Sequence, residues 1–414
     1  MRGVMVLLAS VLSVVSADAQ PAPLMLNMAI AEALANNPEI RAAQRAHDAA
    51  TLRPIQERSL PDPMLSMGYS AAGRPWPGAG LGSEPTANLG VMVSQALPFP
   101  GKRQLRADIA AREADAEART VDQVRLDVTS RVKQAYYRLA YTYAVDDVLT
   151  RNRALLNTLL DVSESRYAVG GAAQQDVIKA QTQLSILELQ LERVRQERAI
   201  REGELSLLMA RTPASPLGRP EELSAAPFTL SLEAILAASD RSPMLLRDQS
   251  MIERSRLTLR SAEADYKPDL GISGGYFYQG AMPPMYELRF DVQLPLNRAK
   301  RAAAVAEQRA RVDVATRTYD ANRLTLQSRV IDDYQTTATA ARLALLYRET
   351  VLPQARLALE SSLASYQTGG VDFLSVLTNF GTVLEYEMTY YDELASYHVA
   401  VSRLEATTGM PVLH

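Results

Sequence analysis

The chain has 414 residues, 47% of them hydrophobic and 22% charged, with a formal net charge of −3, one tryptophan and no cysteine. Acids and bases are interspersed without a basic stripe, which speaks against a nucleic-acid partner, and the lack of thiols excludes a disulfide framework and an N-terminal lipidated cysteine. Aromatics other than tyrosine are few, a composition suited to long helices packed along seams rather than to one large globular core.

Arg2 precedes an apolar run from Val4 to Val15, and Ala17-Asp18-Ala19 supplies a small-x-small cleavage signal. This predicts a secretory signal peptide over 1–19, because the run is well short of the ~20 residues of a spanning helix. No later apolar stretch is long and uninterrupted, so any membrane crossing falls to strands.

A first structural repeat is expected over 20–212. Leu26 to Asn37 reads as a short amphipathic helix ended by Pro38, followed by a helix to about Glu57 and a break at Pro61-Asp62-Pro63. Strands are predicted at 64–71 and 88–97, around a turn-rich loop from Gly73 to Pro85. From Arg103 to Arg166 there is neither proline nor glycine; at ~1.5 Å per residue such a helix reaches on the order of 95 Å. Gly170-Gly171 then turns the chain, since glycine readily ends a helix in the left-handed conformation. The return helix carries Val177, Ala180, Leu184, Leu187, Leu191 and Val194 at coiled-coil spacing.

A Pro/Ser/Glu linker is expected over 213–226, and a second repeat over 227–414. Helices at Ser231–Arg241 and Leu245–Tyr266 lead to a break at Lys267-Pro268-Asp269, then strands at 270–278 and 285–294. A long helix from Arg301, interrupted at Pro353, ends at Gly369-Gly370, and its partner runs from Val371 to Thr408. In the last strand Tyr286, Leu288, Phe290, Val292 and Leu294 point one way and Glu287, Arg289, Asp291 and Gln293 the other. Such a period of two marks one apolar and one polar face. The halves also match residue by residue: Gln95, Lys102 and Arg103 fit Gln293, Lys300 and Arg301 at an offset of 198, as Pro213 does Pro411, and Tyr167-Ala-Val-Gly-Gly171 fits Tyr366-Gln-Thr-Gly-Gly370 at 199. This indicates an internal duplication.

Four strands of this length suit a tilted transmembrane barrel but cannot close one, and an open edge in lipid costs several kcal/mol per unpaired backbone group. Two, three or four chains would give eight, twelve or sixteen strands. Pattern alone therefore describes a secreted, duplicated, oligomeric conduit. A periplasm-spanning coiled-coil scaffold is the structural alternative, although it has no use for a wholly apolar strand face.

The entry Leu26-Asn-Met-Ala-Ile-Ala-Glu-Ala-Leu-Ala-Asn-Asn-Pro38, the tip Arg166-Tyr-Ala-Val-Gly-Gly-Ala-Ala-Gln-Gln-Asp-Val-Ile-Lys-Ala180 and the second tip from Tyr366 together resemble the TolC-like outer membrane efflux proteins, over essentially the whole mature chain. The resemblance implies a mainly α fold with a small β part, assembled as a homotrimer with a twelve-stranded β-barrel in outer-membrane lipid and an α-helical barrel in the periplasm. It further implies docking to a periplasmic adaptor and an inner-membrane pump of the resistance-nodulation-division type. Gln95-Ala-Leu-Pro-Phe-Pro-Gly-Lys-Arg103 is similar to the Pro-Gly-Lys junction of the CzcC-like heavy-metal branch; multidrug efflux and type I protein secretion are the alternatives within the fold.

By the same resemblance, the tips form the entrance gate and the adaptor-docking surface: Arg166, Tyr167, Gly170, Gly171, Asp176 and Val177, with Tyr366, Gly369, Gly370, Asp372 and Val376 in the second half. The glycines also serve the turns, and Asp176 is equally readable as a solvated helix residue. Where familiar members carry a pair of aspartates this chain has Ser375 and Thr378, and where they carry an arginine it has Val371, which puts a cation-binding ring or latch of that kind in doubt. A barrel-to-helix junction is expected at Gln95, Pro98, Pro100, Gly101, Lys102 and Arg103, and at Gln293, Pro295, Lys300 and Arg301. Cations at a helix N-terminus oppose its dipole, so the Lys-Arg pairs either reach a neighbour's carboxylate or anionic head groups at the rim, or are ordinary solvated charges. His47, His398 and His414 are isolated, with no nucleophile motif or phosphate loop beside them, so no enzyme and no cofactor is expected. Met64, Met67, Met282 and Met285 are either lipid-facing and loop residues or soft-metal ligands.

Overall fold

Each half of the chain lays down two short helices, two strands and two long helices in the same order. A computed structural model describes residues 23–72, 76, 79–212, 215–224 and 228–411. The expected signal peptide, the ends of the linker at 213–214 and 225–226, Gly73 and His414 lie outside the described residues. The first half runs α1 (Leu26–Asn36), α2 (Pro38–Arg58), β1 (Met64–Ser70), β2 (Asn88–Leu97), α3 (Lys102–Ala168) and α4 (Gln174–Leu208). The second runs α5 (Leu232–Ser239), α6 (Pro243–Ala264), β3 (Asp269–Tyr278), β4 (Met285–Gln293), α7 (Arg298–Leu346), a π turn at Tyr347–Val351, α8 (Leu352–Thr368) and α9 (Phe373–Thr408). Among the described residues no helix is long and apolar enough to cross a membrane.

The interruption expected at Pro353 takes the form of the π turn. Proline has no amide hydrogen to continue the ladder. One extra residue is absorbed just before it, and the Leu352 amide reaches back five residues to the Tyr347 carbonyl.

The chain divides into two compact units. One holds 132–224 of the described first half together with 23–32 and 344–395. Its core joins Val148, Leu149, Leu156 and Leu159 of α3, Ala180, Leu187 and Leu191 of α4, Leu359 of α8 and Phe373, Val376, Phe380 and Val383 of α9. Spacings of three, four and seven place these on one stripe of each helix. In this unit α4 ends on Ala210 at φ 59°, with the Arg211 amide on the Ser206 carbonyl at 2.8 Å. α9 ends on Gly409 at φ 71°. An alanine in the left-handed region is strained by about 1–2 kcal/mol, while a glycine there gives back some unfolded-state entropy. Ala210→Gly is therefore expected to stabilise the unit by about 0.5–1 kcal/mol, read as a higher melting temperature in detergent.

The other unit holds 33–131, 228–343 and 396–411, and contains the sheet, whose strand order β1-β2-β3-β4 is antiparallel throughout. The register opposes Leu65 to Val93, Gln95 to Ile272 and Ile272 to Phe290. One face thus carries Leu65, Met67, Leu89, Val91, Val93, Ile272, Tyr276 and the even-numbered residues of β4. Tyr286, Leu288 and Phe290 on it are 76%, 68% and 70% exposed. The opposite face carries Ser66, Ser94, Ser273, Glu287, Arg289 and Asp291. Met64, Met92, Met285 and Phe277 also lie on that polar side, and the Phe277 ring covers Gly90 and Gly275, where an added Cβ would meet it at 2.4 and 2.8 Å.

The register corrects one expectation. Gln95 lies on the apolar face and Gln293 on the polar one, so they are not equivalent positions. Leu97-Pro98 superposes on Leu294-Pro295 instead, and one extra residue between Pro295 and Lys300 restores the match in the helices. The strands end close to where alternation places them, with β1 stopping at Ser70, β3 starting at Asp269 and β4 stopping at Gln293, whose pairing with Asp269 is the last in the ladder.

Candidate functional site

Where β2 hands over to α3, the segment Phe99-Pro100-Gly101-Lys102 is a tight turn. Pro100 sets its first corner, Gly101 takes φ 97°, and the Lys102 amide closes on the Phe99 carbonyl at 3.1 Å. Lys102 is 7% exposed. Its Nζ donates to both carboxylate oxygens of Asp269, at 2.9 and 3.1 Å, and to the Lys267 carbonyl at 3.0 Å, with Asp265 at 3.6 Å. The Phe99 amide donates to the same Asp269 at 2.8 Å. Lys102 is thus neither a solvated charge nor free to reach a head group or a neighbour. It bolts the end of β2 to the start of β3 in its own chain. Removing one partner of a buried pair leaves the other uncompensated. Asp269 is partly exposed, so Lys102→Met is expected to cost about 2–3 kcal/mol, below the full buried-pair penalty, seen as earlier loss of β-structure on heating in detergent.

Arg103 donates to the Arg58 carbonyl at 3.0 Å, and Gln95 to the Pro61 carbonyl at 2.7 Å. In the second junction Pro295 is followed by Asn297, whose side chain caps α7 by accepting from the Lys300 amide at 3.0 Å. Arg301 donates to the Asp265 carbonyl at 2.7 Å. Among the described residues the side chains of Gln293, Lys300 and Pro98 make no bond comparable to that of Lys102.

The tip residues gather in the other unit. Gly170 and Gly369 take φ 75° and 82°, and the next amides, of Gly171 and Gly370, close on the carbonyls of Arg166 and Ser365 at 2.8 and 2.7 Å. These are twin left-handed helix ends of the Schellman type. The Arg166 guanidinium donates to the Gly171 carbonyl at 2.9 Å and stacks 4.5 Å from the centre of the Tyr366 ring, joining the two turns. Tyr366 is 3% exposed and packs on Phe373, with ring centroids 5.5 Å apart. Val376 is fully buried in the same core. Tyr366 and Val376 therefore hold the tip together from within, whereas Tyr167, Gly170, Gly171, Gly369, Gly370 and Asp372 form its exposed surface. Asp176 and Val177 are half-buried in the first turn of α4, where the aspartate complements the helix dipole.

Asp372 caps α9. Its Oδ1 accepts from the Ser375 amide at 3.0 Å and from the Ser375 hydroxyl. Those Ser375 bonds, aided by Lys179, hold the Asp372 carboxyl below the usual carboxylate range. A depressed folded value means that the contribution of the cap is complete above the ordinary aspartate value of 3.8 and is lost as pH falls below it. Amide protection at Phe373–Val376 is expected to drop as pH falls below 3.8, and to lose that dependence in Asp372→Asn. Among the described residues no group of three or more His, Asp or Glu side chains is placed to hold a metal ion. Sequence reading missed the Lys102–Asp269 bolt, the Arg166–Tyr366 stack and a buried carboxylate, Glu387, that joins α3, α8 and α9.

The outer membrane efflux protein profile matches residues 29–211. The cobalt-zinc-cadmium resistance protein CzcC of Cupriavidus metallidurans is 20% identical over 391 residues, which are 94% of this chain and 90% of that protein. Residues 29–211 thus match the outer membrane efflux protein family, and the chain is similar to CzcC along nearly its whole length. Among solved structures, the CusC channel aligns with a TM-score of 0.78 at 17% identity, over 92% of this chain and 91% of that one. The outer membrane protein VceC of Vibrio cholerae aligns with a TM-score of 0.77 at 18% identity, over 93% and 96%. At such identities the fold is what is shared: a mainly helical chain with one four-stranded antiparallel sheet. The family that residues 29–211 match is one of outer membrane efflux proteins, which are channels rather than enzymes.

Proposed function

We propose that three copies of this chain close their sheets into a twelve-stranded barrel through the outer membrane, as the exit duct of a tripartite efflux system for heavy-metal cations. The observation that carries this reading is the sheet itself: an exposed apolar face, a mostly polar opposite face and two edge strands, β1 and β4, without a further strand among the described residues. An apolar face of this extent has no place in water. In lipid, unpaired edges are tolerated only when closed by other strands. With the apolar residues toward lipid, Glu287, Arg289 and Asp291 line the lumen. The duct performs no bond-making step. An inner-membrane pump supplies the energy, a periplasmic adaptor grips the exposed tip residues, and outward movement of the α8–α9 hairpin opens the entrance. The metal cargo is supported by the cobalt-zinc-cadmium relative, which matches along nearly the whole chain.

Deleting the gene and growing the strain on zinc, cobalt, cadmium, nickel, copper, silver and hydrophobic drugs tests the cargo. Hypersensitivity confined to metals is the expected result. Sensitivity to drugs and detergents alone would move the duct to a multidrug system, and loss of a secreted protein without either would make it a type I secretion duct. Purification as a soluble monomer without detergent would overturn the duct itself.

A further inference from the structure

Inside one chain the two hairpins β1–β2 and β3–β4 have the same register. Placing Leu97-Pro98 on Leu294-Pro295, and Asp62, Leu65, Ser66, Gly68 and Tyr69 on Asp269, Ile272, Ser273, Gly275 and Tyr276, carries the pair Leu65↔Val93 onto Ile272↔Phe290. The contacts beyond the strands follow the same superposition. Arg103 donates to the Arg58 carbonyl and Arg301 to the Asp265 carbonyl, which are equivalent positions. Arg301 therefore stands where Arg103 stands, and Lys300 where Lys102 stands.

One element of the repeat has no second copy within the chain. The central β2–β3 seam is bolted by Lys102 on Asp269, whereas the equivalent residues of the other seam, Lys300 and Asp62, sit on the two opposite edges of the sheet. Both are exposed, and neither side chain has a hydrogen bond or ion pair among the described residues. A cation beside one unpaired edge and a carboxylate beside the other are complementary only between copies.

We propose that β4 of one subunit pairs with β1 of the next with Val292 opposite the partner subunit's Leu65, and that Lys300 locks this seam by an ion pair with the partner subunit's Asp62. This rests on the closed-barrel reading above and adds to it a register and a clamp. The register is the image of the central seam, where Gln95 opposes Ile272, and it keeps Leu288, Phe290 and Val292 of β4 on the same face as Leu65, Met67 and Tyr69 of β1. It also sets Phe290 opposite the partner subunit's Met67 and Leu288 opposite the partner subunit's Tyr69, so the apolar band runs unbroken around the barrel. The clamp is the weaker of the two bolts. At the image of Asp265, which flanks Lys102, the chain has Arg58, and the Leu296 amide, equivalent to that of Phe99, is already turned to the Leu294 carbonyl at 3.0 Å.

The chain has no cysteine, so engineered thiols report alone. In full-length protein in membranes, oxidised Val292→Cys/Leu65→Cys is expected to run as covalent oligomers on a non-reducing gel, and Val292→Cys/Met67→Cys is not. Lys300→Asp is expected to lose most of the oligomer that survives mild heating in detergent, and adding Asp62→Lys to restore it. Cross-linking of the Met67 pair in place of the Leu65 pair would overturn the register. An oligomer indifferent to Lys300→Asp would overturn the clamp while leaving the closed barrel standing. No cross-link from either pair, with the protein monomeric in detergent, would sink the barrel reading itself.

Discussion

Tyr366→Ala is expected to destabilise the tip by about 3–5 kcal/mol, the usual cost of emptying an aromatic site in a packed core. The ring is almost wholly enclosed, packs on Phe373, and carries the Arg166 guanidinium on its other side. Its removal leaves a cavity among Leu359, Phe373 and Val376 and frees Arg166 from the second turn. Hydroxyl chemistry plays no part, because the Tyr366 hydroxyl has no hydrogen-bond partner among the described residues. Tyr366→Phe should therefore stay within about 1 kcal/mol of the parent, as volume-conserving swaps do. Proteolytic nicking at 166–172 and 366–373, compared between the two variants, checks this. In a conducting duct the alanine variant is expected to raise the resting conductance and the phenylalanine variant to leave it unchanged. Equal nicking of both variants would show that the ring is not what holds the turns together.

The strands and turns were legible in the sequence because their physics is local. Alternation in 286–294 reports two faces whatever lies around it, and Gly170 and Gly369 announce left-handed helix ends by having no side chain. Roles that depend on partners distant in sequence were not legible. Lys102 looked like an exposed cation badly placed at a helix start, and only the fold brings Asp269 to it across the β2–β3 seam. Val376 and Tyr366 were grouped with surface residues because the tip was located by its turn, and a turn says nothing about which flanking side chains point inward. The Gln95–Gln293 match misled for a definite reason: a one-residue insertion after Pro295 restores identity in the helices while leaving the strands one residue out of step, and in a strand one residue is the opposite face. Alternation carried through Leu97-Pro98 and Leu294-Pro295 was the signal that would have exposed it.

Arg356→Ala is expected to cost about 3 kcal/mol, near the low end for a broken buried pair, through a carboxylate that no sequence motif singles out. Glu387 of α9 is 7% exposed. One of its oxygens accepts from the Arg356 guanidinium of α8, and the other accepts from Asn152 Nδ2 of α3 at 3.1 Å. The Asn152 amide is itself buried and also donates to the Val148 carbonyl at 2.9 Å. Glu387 therefore ties three helices at one point, just beyond the π turn that precedes Pro353. Without Arg356 the carboxylate must be buried half-satisfied or take up a proton, and either route weakens the tie. The guanidinium is about half exposed, which keeps the loss from being larger. The double variant Arg356→Met/Glu387→Met removes both charges, leaves Asn152 its bond to Val148, and should be markedly more stable than Arg356→Ala, since replacing a buried pair by apolar groups is often neutral. Unfolding of the parent, the single variants Arg356→Met and Glu387→Met and the double variant in detergent gives the coupling directly. A coupling near zero would mean that Glu387 is held by water and Asn152 alone, and that α8 is free to move against α9 without breaking an ion pair.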